Sequence, residues 1–163
     1  MKGEKIMVKE ILLLGNTQLY EVSKEVQKGE NLTELIQNLR DTLLDYRKKY
    51  HTGRAIAAPQ IGVKKRVIYF YTDKEIVFIN PILTFSNNEK MEILDDCMSF
   101  PNLLVKVMRY KKCTITYMTP EWKQQKMELD GDLSELLQHE YDHLDGILAT
   151  MKAIDNKSFY FKK

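Results

Sequence analysis

The chain has 163 residues, 44% hydrophobic and 29% charged, which excludes wholesale disorder and suits one globular domain that buries about two thirds of its unfolded surface without staples. Its 25 basic and 23 acidic residues nearly cancel, to a net charge of +2, so a dedicated nucleic-acid binder is not expected. Two cysteines, Cys97 and Cys113, with no CxxC pair, make no disulfide framework. The longest aliphatic run, residues 11–14, cannot span a membrane. The N-terminal stretch has neither a signal-peptide core nor a small-residue cleavage site. The expectation is a cytoplasmic protein with free thiols and a single domain over residues 1–163, with no repeat and no linker.

In chain order, the first strong element is a helix over residues 31–50. Leu32, Leu35, Ile36, Leu39, Leu43 and Leu44 recur at helical spacing. Glu34 in the first turn and Arg47, Lys48 and Lys49 in the last match the helix dipole. Gly53 reads as the stop signal. His51 lies in a polar stretch and is expected at the surface. Residues 66–71 and 75–79 flank a short Thr-Asp-Lys turn and predict a hairpin. A second turn falls at residues 86–89. Cys113, Ile115 and Tyr117 alternate with Lys112, Thr114 and Thr116, so Cys113 should point inward as a small packing residue. Residues 120–123 turn the chain into a further short strand at 126–129.

A second helix is predicted from Asp132, with Asp132 and Glu135 at capping-box spacing and Gly146 closing the far end. One helix, several antiparallel strands and another helix make an α+β fold rather than an alternating parallel one. The second helix carries His139-Glu140-Tyr141-Asp142-His143. Histidines four apart share a helix face, so both imidazoles can reach one metal ion, and the glutamate between them can handle a proton there. At about 100° per residue, Leu133, Leu136, Leu137 and Leu144 form one apolar stripe. His139 and His143 fall at its edge and Glu140 inside it, while Glu135, Gln138, Asp142 and Asp145 fall on the opposite side. A carboxylate among leucines is costly unless it has a partner or a task.

Two histidines need a third protein ligand. No glutamate follows Glu140, which disfavours a zinc protease that would draw its third ligand from there. Cys97, flanked by Asp95, Asp96, Met98 and Ser99, is the remaining candidate. Its thiolate with two imidazoles suits zinc or ferrous iron, although a packing role for Cys97 remains open on these residues alone.

Three ordered segments resemble the motifs of peptide deformylases: Gly-Arg-Ala-Ile-Ala-Ala-Pro-Gln at 53–60, Asp-Asp-Cys-Met-Ser at 95–99 and Gln-His-Glu-Tyr-Asp-His-Leu-Asp-Gly at 138–146. The resemblance covers nearly the whole chain. It implies antiparallel β-sheets packed around a central helix that carries HExxH. It implies metal ligation by Cys97, His139 and His143 and Glu140 as general base and then acid. Gln60 and the Met98 N–H would serve the developing oxyanion. The cofactor would be one divalent ion, Fe2+ in the cell, with Zn2+, Ni2+ or Co2+ accepted in its place. The substrate would be an N-formylated peptide bound along Gly53, Arg54, Ala55, Ile56 and Asp96, with formate released. Ribosome contact would be transient at most, because residues 151–163 are too few for the long C-terminal helix some relatives use there. Neither nucleic acid nor membrane is expected as a partner.

The chain departs from the family's pattern at four positions. Arg54 stands for an apolar residue, Ala55 for a glycine, Asp95 for a glutamate and Asp96 for a glycine. The added side chains should crowd a peptide beside the metal. Arg54 and Asp96 are expected to face each other across the cleft as an ion pair, or Arg54 to take a carboxylate of a short substrate. Two alternatives stay open: a related hydrolase with another N-acyl or formyl substrate, and a non-enzymatic metal-binding paralogue.

Overall fold

The computed structural model describes residues 7–163. Helix α1 runs Thr33–Tyr50 and buries Leu35, Leu39, Leu43 and Tyr46 along one face. Its end differs from expectation. His51, not Gly53, takes the left-handed cap (φ 59°), and its N–H donates to Arg47 O at 2.8 Å. Gly53 follows at φ 116°, where a Cβ would lie 3.2 Å from the Tyr46 ring. That glycine turns the chain close against α1 on its way to the cleft. His51 is exposed, as its polar surroundings suggest.

Strand β1 is Ala55–Ala57, followed by a 3-10 turn at Ala58–Ile61 and strands β2, Val67–Tyr71, and β3, Glu75–Thr84. The expected hairpin is present, with Tyr71 opposite Glu75. Arg47 ties α1 to these strands by donating to Gly53 O at 3.0 Å and to Tyr71 O. Strands β4, Lys90–Asp95, and β5, Leu103–Tyr110, form a second hairpin. Strands β6, Lys112–Met118, and β7, Gln124–Asp130, form a third, with Cys113, Ile115 and Tyr117 buried in alternation. Helix α2 is Asp132–Leu144, and a short strand β8, Phe159–Phe161, completes the order.

The strands make two antiparallel sheets, β1-β2-β3-β6-β7 and β4-β5-β8. One face of the larger sheet packs on α1 through Leu39, Leu43, Ile56 and Tyr69. The other packs on α2 through Ile68, Phe78, Ile115, Leu137 and Leu144. Strand β5 of the smaller sheet also packs on α2. The fold is therefore α+β with a central helix between sheets, as expected.

That enclosure corrects the reading of α2 as a helix with one apolar stripe and one solvated face. Gln138 and Asp142, assigned to the polar side, are buried, whereas Leu133 is 37% exposed. Gln138 is accommodated because its side chain accepts from Tyr110 N and donates to Tyr110 O. The Asp132–Glu135 capping box is not formed either. Gly131 precedes the helix without a side-chain cap, and both carboxylates turn to Arg54. The far end closes as expected at Gly146 (φ 72°). A Cβ there would sit 2.4 Å from Tyr20 O. Leu144 O at that end accepts from Ser23 N–H at 2.8 Å and from Arg66 at 3.0 Å, so the last turn is satisfied by the N-terminal segment and β2's approach.

Candidate metal centre

Three chain segments meet at the site. Helix α2 contributes His139, Glu140 and His143, the β4–β5 connection contributes Cys97 and Met98, and the turn after β1 contributes Gln60. Cys97 Sγ lies 3.4 Å from His143 Nε2, and the two Nε2 atoms lie 3.2 Å apart. The ligand atoms of Cys97, His139 and His143 all fall within 4.8 Å of one another, and all three residues are buried. Adjacent donors in a tetrahedral site with bonds of ~2.0–2.3 Å stand about 3.3–3.6 Å apart. The observed spacing therefore fits one ion held by a thiolate and two imidazoles.

His139 and Cys97 are each held by a second contact, whereas His143 Nδ1 has no hydrogen-bond partner among the described residues. His139 Nδ1 lies 2.9 Å from Asp95 Oδ2. A proton on Nδ1 shared with that carboxylate leaves the Nε2 lone pair facing the cavity. In the metal-free protein burial alone would push His139 down, but the Asp95 carboxylate and Cys97 hold it well above its ordinary value, so metal binding there displaces the Nε2 proton. His143 is pushed well below its ordinary value by burial and by His139, so it stands neutral with a lone pair to give. Cys97 Sγ accepts from Ser99 N–H at 3.4 Å and from Gln60 Nε2 at 3.6 Å. Cys113 lies elsewhere, packed in the core between the larger sheet and α2, and burial raises its thiol.

Asp95 in turn belongs to a buried chain of charges. Arg109, only 2% exposed, donates from Nη2 to Asp95 Oδ2 at 2.8 Å and from Nη1 to Asp142 Oδ2 at 2.6 Å. Lys152 closes the chain on Asp142 at 3.0 Å. Burial would raise Asp95, but His139 and Arg109 outweigh it and keep the carboxyl below its usual range. Sequence reasoning missed Arg109. Its signal was the alternation Val105, Val107, Arg109 on the inward side of β5, which puts a charge at a core position. It placed Asp95 only as a departure near the expected cleft and gave it no task, whereas its carboxylate is spent on His139 and Arg109.

Glu140 is 4% exposed, and burial pushes its carboxyl up to about 7. Among the described residues nothing pairs with its Oε2. Gln60 is 1% exposed. Its Oε1 accepts from Ala57 N–H at 3.0 Å, which fixes the amide orientation. Its Nε2 is left facing Cys97 and Ser99 Oγ, the latter at 3.2 Å. A cavity of about 80 Å³ is lined by Cys97, Met98, His139 and Glu140 and, farther out, by Gly53–Ala55, Tyr46, Asp96 and Glu135, with Gln60 buried behind Cys97. Ile56, expected at the substrate, instead sends its fully buried side chain into the core under α1.

Arg54 and Asp96 both line the cavity but do not pair with each other. Arg54 pairs with Asp132 and reaches Glu135 Oε1 at 3.6 Å, while Asp96 takes Lys162 at 3.1 Å. Each charge finds its partner on its own side of the cleft, so no ion pair narrows it. With both Nη groups turned to carboxylates, Arg54 is also poorly free to bind a third.

Residues 8–159 match the family profile described as polypeptide deformylase. The chain belongs to the peptide deformylase family. It is 35% identical to peptide deformylase 1 of Prochlorococcus marinus, over 94% of this chain and 85% of that protein. It is also 35% identical to the peptide deformylase of Pseudothermotoga lettingae, over 96% of this chain and 90% of that one. Among solved structures, the peptide deformylase of Thermotoga maritima superposes with a TM-score of 0.83 at 27% identity, covering 91% of this chain and 99% of that one. The deformylase of Synechococcus elongatus in complex with actinonin superposes with a TM-score of 0.85 at 25% identity, covering 97% and 85%. Among the described residues, this deformylase-family chain has no helix long and apolar enough to cross a membrane.

Proposed function

We propose that residues 1–163 act as one cytoplasmic metallohydrolase domain that removes the formyl group from the N-terminal formylmethionine of nascent peptides. The observation that carries this reading is the Cys97, His139 and His143 cluster beside a cavity that Cys97, His139 and the unpartnered Glu140 carboxyl line, in a chain of this family. Cys97 Sγ and the two Nε2 atoms would hold one divalent ion, ferrous iron in the cell, with zinc, nickel or cobalt accepted by the same donor set. When bound, the ion supplies Lewis acidity toward the formyl oxygen and acidifies water.

Glu140 takes a proton from the attacking water as its oxygen adds to the formyl carbon. It then delivers that proton to the amide nitrogen as the C–N bond breaks, so formate and a free amine leave. The buried Oε2 with no competing donor leaves the carboxylate free for both transfers. The formyl oxygen gains negative charge during attack. Gln60 Nε2, its amide oriented by the Oε1–Ala57 bond, gives up its long contact to Cys97 Sγ and donates to it together with the Met98 backbone N–H. Gln60 is neutral, so it adds no strong attraction for the ground state. The strand at Ala55–Ala57 and the segment at Asp96 flank the peptide, and Gly53 lets the chain approach it closely.

Formate release from formyl-Met-Ala by freshly prepared, anaerobic, iron-loaded protein tests the reading. Metal binding without formate from any formylated peptide would refute it in favour of a non-enzymatic paralogue.

A further inference from the structure

The groups that handle the formyl unit leave one wall of the cavity unexplained. Glu135 stands one helical turn before His139 on the same face of α2, and it lines the cavity with Leu136, Arg54 and Ala55. Arg54 ion-pairs with Asp132 and reaches Glu135. Arg54 is taken up by Asp132, which stands 73% exposed outside the cavity, so the Glu135 carboxyl is left on this wall without a full counter-charge. The Glu135 side chain is only 17% exposed, so water does little for its charge, and burial pushes the carboxyl up to about 7. The far side adds no uncompensated charge, because Asp96 is offset by Lys162. A second observation marks the same space as a ligand site. Glu140 Oε2, buried and without a partner among the described residues, opens on it.

A formyl carbon within reach of Glu140 leaves the first residue's side chain to run along this wall. One helical turn, about 6 Å, separates Glu135 from His139. An unbranched side chain of four or five atoms covers roughly that span. Resting on the deformylation reading, we propose that Arg54 and Glu135, with Asp132 holding Arg54 from the rim, form the specificity wall for the first side chain of the formylated substrate, and that they favour an unbranched chain ending in a cation, as in lysine, over methionine. The stem would lie along Leu136 and Ala55, and the ammonium would donate to the Glu135 carboxylate and hold it ionised. A thioether at the same place strips water from Glu135 and Arg54 and returns no hydrogen bond. An acidic side chain would bring a third carboxylate to a guanidinium already turned to two.

The test compares formyl-Lys-Ala, formyl-Gln-Ala, formyl-Glu-Ala and formyl-Met-Ala by formate release from metal-loaded protein. The expected result is kcat/KM at least about tenfold higher for the lysine peptide than for the methionine peptide. Arg54→Ile/Asp132→Leu/Glu135→Ile should reverse that order, and Glu135→Gln alone should reduce it. Calorimetric binding of the lysine and methionine peptides to metal-loaded Glu140→Gln gives a readout independent of turnover, with tighter lysine binding expected. A methionine preference in both turnover and binding overturns the proposal and leaves deformylation standing. Absence of formate from every peptide, with lysine still bound preferentially by Glu140→Gln, overturns deformylation and supports the wall's selectivity.

Discussion

Replacing Arg109 by methionine should destabilise the protein far more than loss of a surface ion pair. The guanidinium is almost fully buried and touches two carboxylates that are themselves 4% and 7% exposed, Asp95 and Asp142. Breaking a buried pair from one side costs about 3–5 kcal/mol, because a charge is left without compensation. Here Lys152 still covers Asp142 and His139 still covers Asp95, so the lower end, about 3 kcal/mol, is expected. For a domain of this size each kcal/mol moves Tm by ~2–4 °C, which predicts a fall of roughly 6–12 °C. Arg109→Met/Asp95→Asn/Asp142→Asn should recover most of the loss, since no buried charge is then unpaired. Scanning calorimetry at neutral pH on metal-free protein is the assay, because bound metal would stabilise the folded state by mass action. If Arg109→Met costs less than about 1 kcal/mol, as an exposed pair does, the buried network is not a charge-compensating unit and the reasoning fails.

The metal content of purified Cys97→Ala, His139→Ala and His143→Ala should fall sharply while Cys113→Ala keeps it; full stoichiometry in Cys97→Ala would remove the thiolate from the ligand set. Glu140→Ala should bind metal normally yet lose about 10²–10⁴-fold in formate release. Gln60→Ala should lose roughly 10²-fold if its amide serves the oxyanion. Near-normal turnover in either would overturn its assigned role. Burial, then Asp95 and Asp132, push Glu135 up to about 7 against the pull of Arg54 and His139. Between its ordinary 4.5 and about 7 the unfolded chain gives up this proton while the folded protein keeps it, so stability falls as pH rises through that window. Relative to Glu135→Gln, metal-free wild type should therefore lose stability from about pH 4.5 to 7 and run parallel above, as read by chemical denaturation; parallel curves across the window would show Glu135 titrating normally.

Local pattern alone determined the elements whose geometry depends on near neighbours. The four-residue spacing of His139 and His143 puts both imidazoles on one face wherever the helix lies, and the leucine periodicity of α1 states which side it buries. The alternation at Cys113, Ile115 and Tyr117 removed Cys113 from the site for the same reason. The three motifs in order then indicated the ligand set, although Cys97 reaches His143 only because the fold brings together residues 46 apart in sequence. What tertiary structure decided was the fate of the charges. A single-stripe reading assumes one face of α2 meets water, but sheets on both sides bury Gln138 and Asp142, and Asp142 is tolerable only because Arg109 arrives from β5. Asp132 and Glu135 have the spacing of a cap, yet Arg54, 78 residues before Asp132, draws both away from it. Ile56 sits in a cleft motif but falls on the core side of its strand. Periodicity reports how often a residue faces a neighbouring layer, whereas a charge is settled by whichever opposite charge the docking of distant elements places within a few ångströms.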